Sequence, residues 1–536
     1  MPRVVLYDTT LRDGTQRAGI SLSLEDKVQI ALALDEFGMD YVEGGYPGSN
    51  VKDSQFFAAM QGRMTKSRLV AFGSTARKGR AAEEDPNLQA LIGSGCQAVT
   101  IFGKASVFHA ERVLEVDPKD NLQMVQQSVR FLADHGLEVI FDAEHFFDGA
   151  KADSGAYAFD VVRAAEQGGA RWIVLCDTNG GSLPHEVAEL TERAVRAVSV
   201  PIGIHAHNDA GLGVANSLTA VTAGAQMVHG TINGYGERCG NADLCVVLPN
   251  LVLKMGYEAG KSGRLEYLTR LSRTVADIAN QVPDGSQPYV GENAFTHKAG
   301  MHVGAVRKHP EAYEHVVPAV VGQKRKVLVS ELAGRSNLLY QFDGVDIASD
   351  TLNAVMDDVK RLEAAGYQFE AAESSVALMV QRAMGTLRPY YQIERFHVSV
   401  AMDTVPVTEA TVRLIVDGQP VLEVGDGDGP VNALDNALRK ALTRFYPVLA
   451  ELRLTDYKVR VLDGKEATAA TVRVHVRSEF RGEPVTTVGV SPNILEASWK
   501  ALLDAVDYTL WKAESTPAAG SQPTPSTDMG NFQVKL

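Results

Sequence analysis

The sequence has few cysteines, no long hydrophobic run and no excess of basic residues. Its 536 residues include four cysteines, Cys96, Cys176, Cys239 and Cys245, and no C-x-x-C pair. This pattern argues against a disulfide framework and against a thiolate zinc site. No apolar run reaches the roughly 18 residues that a membrane helix needs, and the first residues lack the regions of a signal peptide. We therefore expect reduced cysteines, no membrane partner and a cytoplasmic protein.

The charge balance excludes further classes of partner. Basic side chains number 52 and acidic ones 66, which gives a formal net charge of -14. Such a surface repels nucleic acid backbones and anionic membranes at long range. Apolar residues make up 45% of the chain and charged residues 22%, as in ordinary globular proteins. We expect a folded chain of several domains without a nucleic acid partner, in which local groups hold any anionic ligand.

Eight strand-like apolar runs alternate with eight amphipathic helical stretches between residue 4 and about residue 250. A doubly wound open sheet also alternates in this way, but eight repeats of this size match a closed barrel. Ser23, with Asp26 three residues later, predicts the start of the first helix. We predict an α/β fold in which residues 1–260 form a catalytic (β/α)8 TIM barrel, with strands at Val4–Tyr7, Tyr41–Gly45, Leu69–Phe72, Val99–Phe102, Val139–Asp142, Trp172–Cys176, Ile202–His205 and Met227–Ile232.

The rest of the chain divides into three predicted segments. Residues 261–392 have mostly helical periodicity and are expected to form helical linker subdomains. Residues 393–513 contain an internal repeat, because Ala410-Thr-Val-Arg recurs as Ala470-Thr-Val-Arg and Val424-Gly425 recurs as Val488-Gly489. Each half reads as strands followed by one helix, which predicts an α+β domain. The seam between the halves suits a small ligand, or the domain serves only in dimerisation. Residues 514–536 are predicted to be disordered.

Polar residues concentrate where the barrel strands end, which is where barrel enzymes carry their catalytic groups. Strand 1 ends in Asp8-Thr-Thr-Leu-Arg-Asp, strand 5 in Asp142-Ala-Glu-His, strand 6 in Asp177-Thr-Asn and strand 7 in His205-Ala-His-Asn-Asp. His205 and His207 share one face of a strand, and Asp13 projects toward the same mouth. Two histidines and a carboxylate suit a divalent ion such as Mn, Mg, Zn or Co. The alternative is a pair of histidines satisfied by polar neighbours.

Four further residues near the mouth are candidates for the site. Asn241 offers an amide oxygen as another metal ligand, although an Asn in a Gly-rich turn is also a common helix cap. Arg12 can bind a substrate oxygen and stabilise developing negative charge, or it is an ordinary neighbour of Asp13. Thr178 can bind a carboxylate, or it only forms a turn. Glu144 is a candidate general acid or base, or a surface-loop residue.

Three motifs resemble the signatures of one family. They are Leu6-Tyr-Asp-Thr-Thr-Leu-Arg-Asp-Gly-Thr-Gln, His205-Ala-His-Asn-Asp and Gly234-Tyr-Gly-Glu-Arg-Cys-Gly-Asn-Ala. In this order they are similar to the barrel metalloenzymes that comprise the 2-isopropylmalate, homocitrate and citramalate synthases and HMG-CoA lyase. The repeated region resembles the amino-acid-binding regulatory domain of the isopropylmalate and citramalate synthases. HMG-CoA lyase lacks this domain, so the resemblance argues against a lyase.

Within that family, three segments are similar to the citramalate synthase branch: Glu43–Asn50, Phe141–Gly149 and Leu328–Asn337. The resemblance implies that His302 is a catalytic histidine that reaches the barrel of a partner subunit. An acidic residue that often follows this histidine in isopropylmalate synthases is missing, which leaves the activation of the catalytic water open. The other positions that the resemblance marks as functional are Arg12, Asp13, Glu144, Thr178, His205, His207 and Asn241.

The branch implies a metal-dependent condensation of acetyl-CoA with pyruvate, followed by hydrolysis of the thioester. In this scheme Arg12 stabilises the alkoxide, Thr178 binds the carboxylate of pyruvate, and Glu144 or His302 removes the methyl proton of acetyl-CoA. The resemblance also implies isoleucine as inhibitor and a homodimer, but it does not identify the residues that bind CoA. Two alternatives stay open: a 2-isopropylmalate synthase acting on 2-oxoisovalerate, and a catalytically silent amino-acid sensor.

Overall fold

The computed structural model describes residues 2–152, 156–260, 264–331, 333–342, 345–402, 406–463 and 469–515. The chain forms two compact units, the first from Met1–Phe295 with His315–Arg325, the second from Thr296–Glu314 with Lys326–Leu536. The division into segments at residues 260, 392 and 513 stays a prediction. The tail predicted to be disordered is residues 514–536; residues 514 and 515 instead end a helix, and residues 516–536 lie outside the described part.

The first unit is a closed parallel barrel. Strand β1 pairs in parallel with both β2 and β8, and the other strands pair in sequence order between them. This confirms the predicted (β/α)8 fold. The eight barrel strands are β1 (Arg3–Asp8), β2 (Tyr41–Gly45), β3 (Arg68–Ser74), β4 (Ala98–Lys104), β5 (Glu138–Glu144), β6 (Trp172–Asp177), β7 (Ile202–Ala206) and β8 (Met227–Gly230).

Helices cover the outside of the barrel. Helix α1 begins with the predicted capping box, since Ser23 Oγ accepts from the Asp26 amide at 3.2 Å and the Asp26 carboxylate accepts from the Ser23 amide at 2.8 Å. The helices of this unit are α1 (Leu24–Phe37), α2 (Val51–Met60), α3 (Pro86–Gly93), α4 (Val107–Arg112), α5 (Pro118–Asp134), α6 (Phe146–Lys151), α7 (Ala156–Gly168), α8 (Pro184–Ala197), α9 (Gly213–Thr222), α10 (Leu244–Pro249) and α11 (Leu268–Ile278). A short strand β9 (Glu258–Ala259) lies parallel to β1.

The barrel strands are apolar on both faces because both faces are buried. Side chains on one face pack against the helices. Those on the other face form a separate cluster inside the barrel, which includes Tyr7, Val70, Ile140, Val174 and Met227. The interior is thus filled below the mouth, and an open site remains only where the strands end.

The second unit contains two copies of a three-stranded antiparallel sheet with one helix. Glycines let each helix approach its sheet: a Cβ at Gly425 would lie 2.4 Å from the Ala437 nitrogen, and one at Gly489 would lie 2.0 Å from the Ala497 oxygen. This confirms the predicted α+β repeat. The first copy is β12 (Gln392–Met402), β13 (Pro406–Val416), β14 (Gln419–Gly427) and α16 (Pro430–Thr443); the second is β15 (Leu452–Val461), β16 (Val472–Phe480), β17 (Glu483–Ser491) and α17 (Ile494–Ser515).

Helices also precede the repeats in the second unit. They have a buried core of their own, which includes Leu338, Leu352, Val359, Val376 and Val380. The elements are β10 (Thr296–His297), α12 (Gly300–Lys308), β11 (Lys326–Val327), α13 (Arg335–Gln341), α14 (Ser349–Ala364) and α15 (Glu373–Ala383). Across the described ranges of both units, helices with the length and apolar character for membrane crossing are absent.

Candidate active site

A cavity of about 210 Å³ opens at the carboxyl ends of the barrel strands. Its wall combines two histidines, several carboxylates, two arginines and two aromatic rings. Every residue comes from the end of a strand or from the turn that follows one, as the barrel fold predicts. The lining residues are Arg12, Asp13, Gln16, Phe72, Phe102, Asp142, Glu144, Cys176, Thr178, His205, His207, Glu237 and Arg238.

Asp13, His205 and His207 converge at one side of this cavity. Asp13 Oδ2 lies 3.4 Å from His205 Nε2 and 3.9 Å from His207 Nε2. One ligand atom from each residue lies within 4.8 Å of the others, and all three side chains are buried. In the described part of the chain, Asp13 Oδ1 and the Nδ1 atoms of both histidines make no hydrogen bond. Buried polar groups without partners are rare, so this donor set fits a divalent metal ion.

The turn after β8 places Asn241 beside His207, one of the three converging residues. Asn241 pairs with His207 as an isolated antiparallel bridge. Its amide nitrogen donates to the Tyr235 carbonyl at 3.2 Å, while its buried Oδ1 has no hydrogen-bond partner among the described residues. The turn needs glycine, because a Cβ at Gly236 would lie 2.2 Å from the Asn241 side-chain nitrogen. The cap of α10 is Asp243 rather than Asn241, which leaves the amide oxygen available as a further ligand.

The protonation of these groups follows from burial and mutual contact. Burial acts to raise the pKa of Asp13, but Arg12 and His205 outweigh it and hold that pKa well below its ordinary value. Burial, with the neighbouring His205, lowers the pKa of His207 to about 4. Burial acts to lower the pKa of His205, yet contact with Asp13 raises it. An ionised Asp13 and a neutral His207 are the forms that ligate metals.

Arg12 is fixed from three directions. Its Nη1 donates to Asp13 Oδ2 at 2.9 Å, its Nε donates to Glu43, and its guanidinium lies 3.8 Å from the centre of the Phe72 ring. Glu43 is itself held by the hydroxyl of Tyr7, which donates to Glu43 Oε2 at 2.6 Å. This arrangement presents a permanent positive charge beside the metal-ligating group.

Glu144 and Thr178 also line the cavity. Glu144 ends β5 and forms an ion pair with Lys104 at the end of β4. Thr178 Oγ1 accepts a hydrogen bond from the His145 amide at 2.9 Å, so its hydroxyl proton remains for a ligand in the cavity. The Thr178 carbonyl accepts from Arg238 at 2.7 Å. Thr178 is therefore held from two sides.

His302 is not among the residues that line this cavity. It lies on α12 in the second unit, where its exposed ring stacks on Tyr313 with 4.2 Å between the ring centres. Its predicted role in a partner's barrel stays a prediction.

Several cavity residues and neighbours carry no role in the sequence prediction, among them Glu43, Phe72, Phe102, Lys104 and Arg238. Glu43 had a signal, since a carboxylate in the middle of an apolar strand is unusual. Lys104 also had a signal in the sequence, because it is the last residue of a barrel strand. Arg238 lies in the same motif as Asn241, but the sequence analysis assigns a role there only to Asn241. The sequence does not distinguish the two phenylalanines from ordinary strand residues.

Three family models match successive parts of the chain. The HMGL-like model matches residues 3–275, the homocitrate synthase post-HMGL domain-like model matches residues 289–366, and the LeuA allosteric (dimerisation) domain matches residues 370–510.

Curated relatives match over nearly the whole length. An (R)-citramalate synthase from Aquifex aeolicus is 49% identical, covering 96% of this chain and 98% of that protein. One from Synechocystis sp. is 48% identical, covering 94% and 96%. A probable 2-isopropylmalate synthase from Methanopyrus kandleri is 34% identical, covering 94% and 98%. The similarity to citramalate synthases is thus much higher than that to the isopropylmalate synthase.

Proposed function

We propose a function from the premise that this chain belongs to the HMGL-like family and, within it, to the group formed by the (R)-citramalate synthases. It is an acyltransferase that converts the acyl group into an alkyl group on transfer. It condenses acetyl-CoA with pyruvate and hydrolyses the resulting thioester, which gives (R)-citramalate and free CoA. The observation that carries this function is the barrel mouth, where Asp13, His205 and His207 lie beside Arg12 in one small cavity.

Asp13, His205 and His207 would hold a divalent metal, with Asn241 as a further oxygen ligand. When bound, the metal supplies Lewis-acid polarisation of the keto group of pyruvate. The mixed nitrogen and oxygen donors suit Mn, Mg, Zn or Co.

The protein's own side chains bind and orient pyruvate. The Thr178 hydroxyl donates to the carboxylate of pyruvate, because its oxygen accepts from the His145 amide and its proton stays available. The Arg12 guanidinium stabilises the alkoxide that forms as the keto carbon is attacked. Glu43 and Asp13 hold that guanidinium in place before the substrate arrives.

The nucleophile is the enolate of acetyl-CoA. Glu144 or His302 removes a proton from the acetyl methyl group, and the methyl carbon then bonds to the keto carbon of pyruvate. Lys104 forms an ion pair with Glu144 and holds the carboxylate at the end of β5. Water attacks the thioester of the adduct, the carbon–sulfur bond breaks, and CoA leaves; His302 assists this water.

The aromatic rings of the wall support the choice of pyruvate. Phe72 and Phe102 stack with 5.4 Å between ring centres and bound the cavity on one side. Two large rings beside a cavity of about 210 Å³ leave room for the methyl group of pyruvate. The isopropyl group of 2-oxoisovalerate, which has two more methyl groups, is expected to crowd these rings more than the methyl group of pyruvate does.

Regulation and assembly belong to the same proposal. Isoleucine is the expected inhibitor, because citramalate leads toward isoleucine, and the LeuA allosteric (dimerisation) domain match supports both an effector and a homodimer. Saturating isoleucine should lower the rate while leucine leaves it unchanged, and the reverse result would contradict the proposal. A cytoplasmic location agrees with the four free thiols, all in described residues.

The function is tested by identifying the product. Acetyl-CoA and carbon-13-labelled pyruvate are incubated with the metal-loaded protein, and CoA release is compared with chiral mass spectrometry of the acid formed. Equal amounts of CoA and labelled (R)-citramalate are expected. Release of CoA without citramalate would reveal a simple thioesterase and overturn the proposal.

A further inference from the structure

Three buried polar side chains converge inside the barrel, next to the proposed metal site. One carboxylate oxygen of Asp142 and one ring nitrogen each of His205 and His229 lie within 4.8 Å of one another. Asp142 is on β5, His205 on β7 and His229 on β8, so three separate strands bring the group together. In the chemistry proposed above, neither Asp142 nor His229 has a role.

Four polar atoms of this group lack a hydrogen-bond partner among the described residues. They are Asp142 Oδ1, His205 Nδ1 and both ring nitrogens of His229. All three side chains are buried, with His229 only 1% exposed. A buried polar atom without a partner is destabilising by about 1–3 kcal/mol, and ordered water commonly completes such atoms. Four of them in one place therefore indicate a bound group.

Stacking holds the His229 ring inside the barrel. The ring stacks on Tyr7 with 3.8 Å between ring centres and lies edge-on to His205 at 5.6 Å. Tyr7 is fixed in turn, because its hydroxyl is hydrogen-bonded to Glu43 and to Thr100, each at 2.6 Å. The nitrogens of His229 must therefore find their partners within the barrel.

The spacing of the group suits one water molecule. Asp142 Oδ1 lies 4.0 Å from His229 Nδ1, which is too long for a direct hydrogen bond. Two hydrogen bonds of about 2.8 Å that meet at one water oxygen span about 4–5 Å. A buried water typically makes about three hydrogen bonds, one for each of the three side chains.

A second metal ion fits this group less well. His205 Nε2 lies 3.4 Å from Asp13 Oδ2 and is the nitrogen available to the metal proposed above. A neutral imidazole that ligates a metal through Nε2 carries its proton on Nδ1. His205 then has no lone pair for another ion, and Asp142 and His229 alone supply fewer ligands than a protein metal site usually has.

We propose that Asp142, His205 and His229 bind one buried water molecule, and that Asp142 and His229 are positioning residues that orient the metal-ligating ring of His205 through it. The Nδ1–H group of His205 donates to the water, and the water donates to Asp142 Oδ1 and His229 Nδ1. A partner on the second nitrogen fixes the tautomer and orientation of a metal-ligating histidine. This inference rests on the metal-ligating role proposed above for His205.

A high-resolution crystal structure of the full-length protein, grown with Co²⁺, tests the water directly. A water peak is expected within about 3.2 Å of Asp142 Oδ1, His205 Nδ1 and His229 Nδ1. A direct hydrogen bond from Asp142 to either histidine in place of the water would overturn the proposal. An anomalous signal from cobalt at this position would overturn it as well.

Titration with Co²⁺ tests the positioning role, because the visible absorption bands of this ion report both its affinity and the geometry of its ligands. His229→Phe keeps a ring against Tyr7, removes both nitrogens and leaves every charge in place. Asp142→Asn keeps the shape of the side chain but leaves a weaker acceptor. Each variant should bind Co²⁺ about tenfold more weakly, as for other partners of metal-ligating histidines, and should shift the absorption bands.

Met227→Leu is the matched control, because Met227 lies on β8 in the interior cluster of the barrel. This change conserves volume and should leave the affinity for Co²⁺ and the bands as in the parent. A role in packing alone would not move the bands. Circular dichroism confirms that each variant is folded, and the crystal structure of the parent decides the question of the water if a variant does not fold.

The results separate this inference from the proposed function. If folded His229→Phe and Asp142→Asn bind Co²⁺ with the affinity and bands of the parent while His207→Asn loses the ion, only the positioning role is overturned. If the parent binds no Co²⁺, or His207→Asn keeps it, the proposed metal site fails and this inference fails with it.

Discussion

At the residue scale, the barrel mouth is a set of charges that determine one another's protonation. Arg12 keeps Asp13 ionised, and the neighbouring His205 helps keep His207 neutral. The same contacts orient the groups, because Arg12 is bonded to both Asp13 and Glu43. These charges are thus held in place before any ligand arrives, as the proposed chemistry requires.

Replacing His207 by Asn tests the metal-ligating role. The variant should lose metal affinity by at least about 100-fold, since even groups that only support a ligand are worth about 10–100-fold. CoA release should fall in parallel. Metal content is measured by atomic emission after gel filtration. The matched control is His185→Asn on α8, an exposed histidine, which should keep both properties. Full metal content in His207→Asn would show that the ion is held elsewhere.

His302 needs a separate test, because it lies in the second unit and does not line the cavity at the barrel mouth. His302→Asn should reduce turnover about 10²–10⁴-fold, the usual loss for a general acid or base. It should leave metal content intact, in contrast to His207→Asn. Steady-state CoA release and atomic emission on the same sample check both expectations. Undiminished turnover would remove His302 from the mechanism.

At the scale of elements, the turn after β8 connects three strand ends. Arg238, with a left-handed φ of 55°, donates to both carboxylate oxygens of Asp209 at 2.8 and 3.0 Å and to the Thr178 carbonyl at 2.7 Å. The turn that carries Asn241 is thereby tied to the loops after β6 and β7. Misplacement of one of these loops would disturb the others.

Arg238→Lys should therefore raise the KM for pyruvate about tenfold, because a lysine cannot make the bidentate contact with Asp209 together with the hydrogen bond to the Thr178 carbonyl. Initial rates over a range of pyruvate concentrations measure this effect. The matched control, Arg163→Lys, changes an exposed arginine paired with Asp160 on α7 and should leave KM unchanged. A normal KM in Arg238→Lys would mean that Thr178 is positioned without it.

A partly buried histidine on strand β16 makes the stability of the folded protein depend on pH. Burial, with Arg473 and Lys458 nearby, lowers the pKa of His475 to about 4. The folded state then binds fewer protons than the unfolded state between pH 6.5 and 4, so stability falls as pH falls through this range. The ring is partly exposed, so screening limits the loss to about 1 kcal/mol. Thermal unfolding of the parent and His475→Gln is compared at pH 7 and 5; the variant should lose less stability, and identical losses would contradict this assignment.

The sequence predicts the elements well because the barrel imposes a regular pattern. Strands buried on both faces give apolar runs, and polar residues at their ends mark the mouth, so Asp13, Glu144, His205 and His207 were identifiable. The contacts between side chains of different strands were not identifiable from the sequence. Lys104 lies opposite Glu144 in the β4–β5 register, which the sequence of one strand cannot reveal. Glu43 was missed because its partner Arg12 lies in the turn after β1, far from Glu43 in the sequence.

At the scale of the whole molecule, the two units perform different tasks. The first unit contains every residue that lines the catalytic cavity, and the second contains the repeats. The net charge of -14 gives CoA no long-range attraction, so local groups must bind its phosphates. The proposed chemistry draws on both units, because His302 lies in the second one.

The central claim is that this barrel mouth condenses acetyl-CoA with pyruvate rather than with a larger 2-oxo acid. The most direct measurement is the ratio of kcat/KM for pyruvate and 2-oxoisovalerate, from CoA release by the metal-loaded protein at saturating acetyl-CoA. We predict a preference for pyruvate of at least about 100-fold, since crowding by two extra methyl groups is worth several kcal/mol. An equal or higher value for 2-oxoisovalerate would contradict the account, because Phe72 and Phe102 would then not limit the substrate.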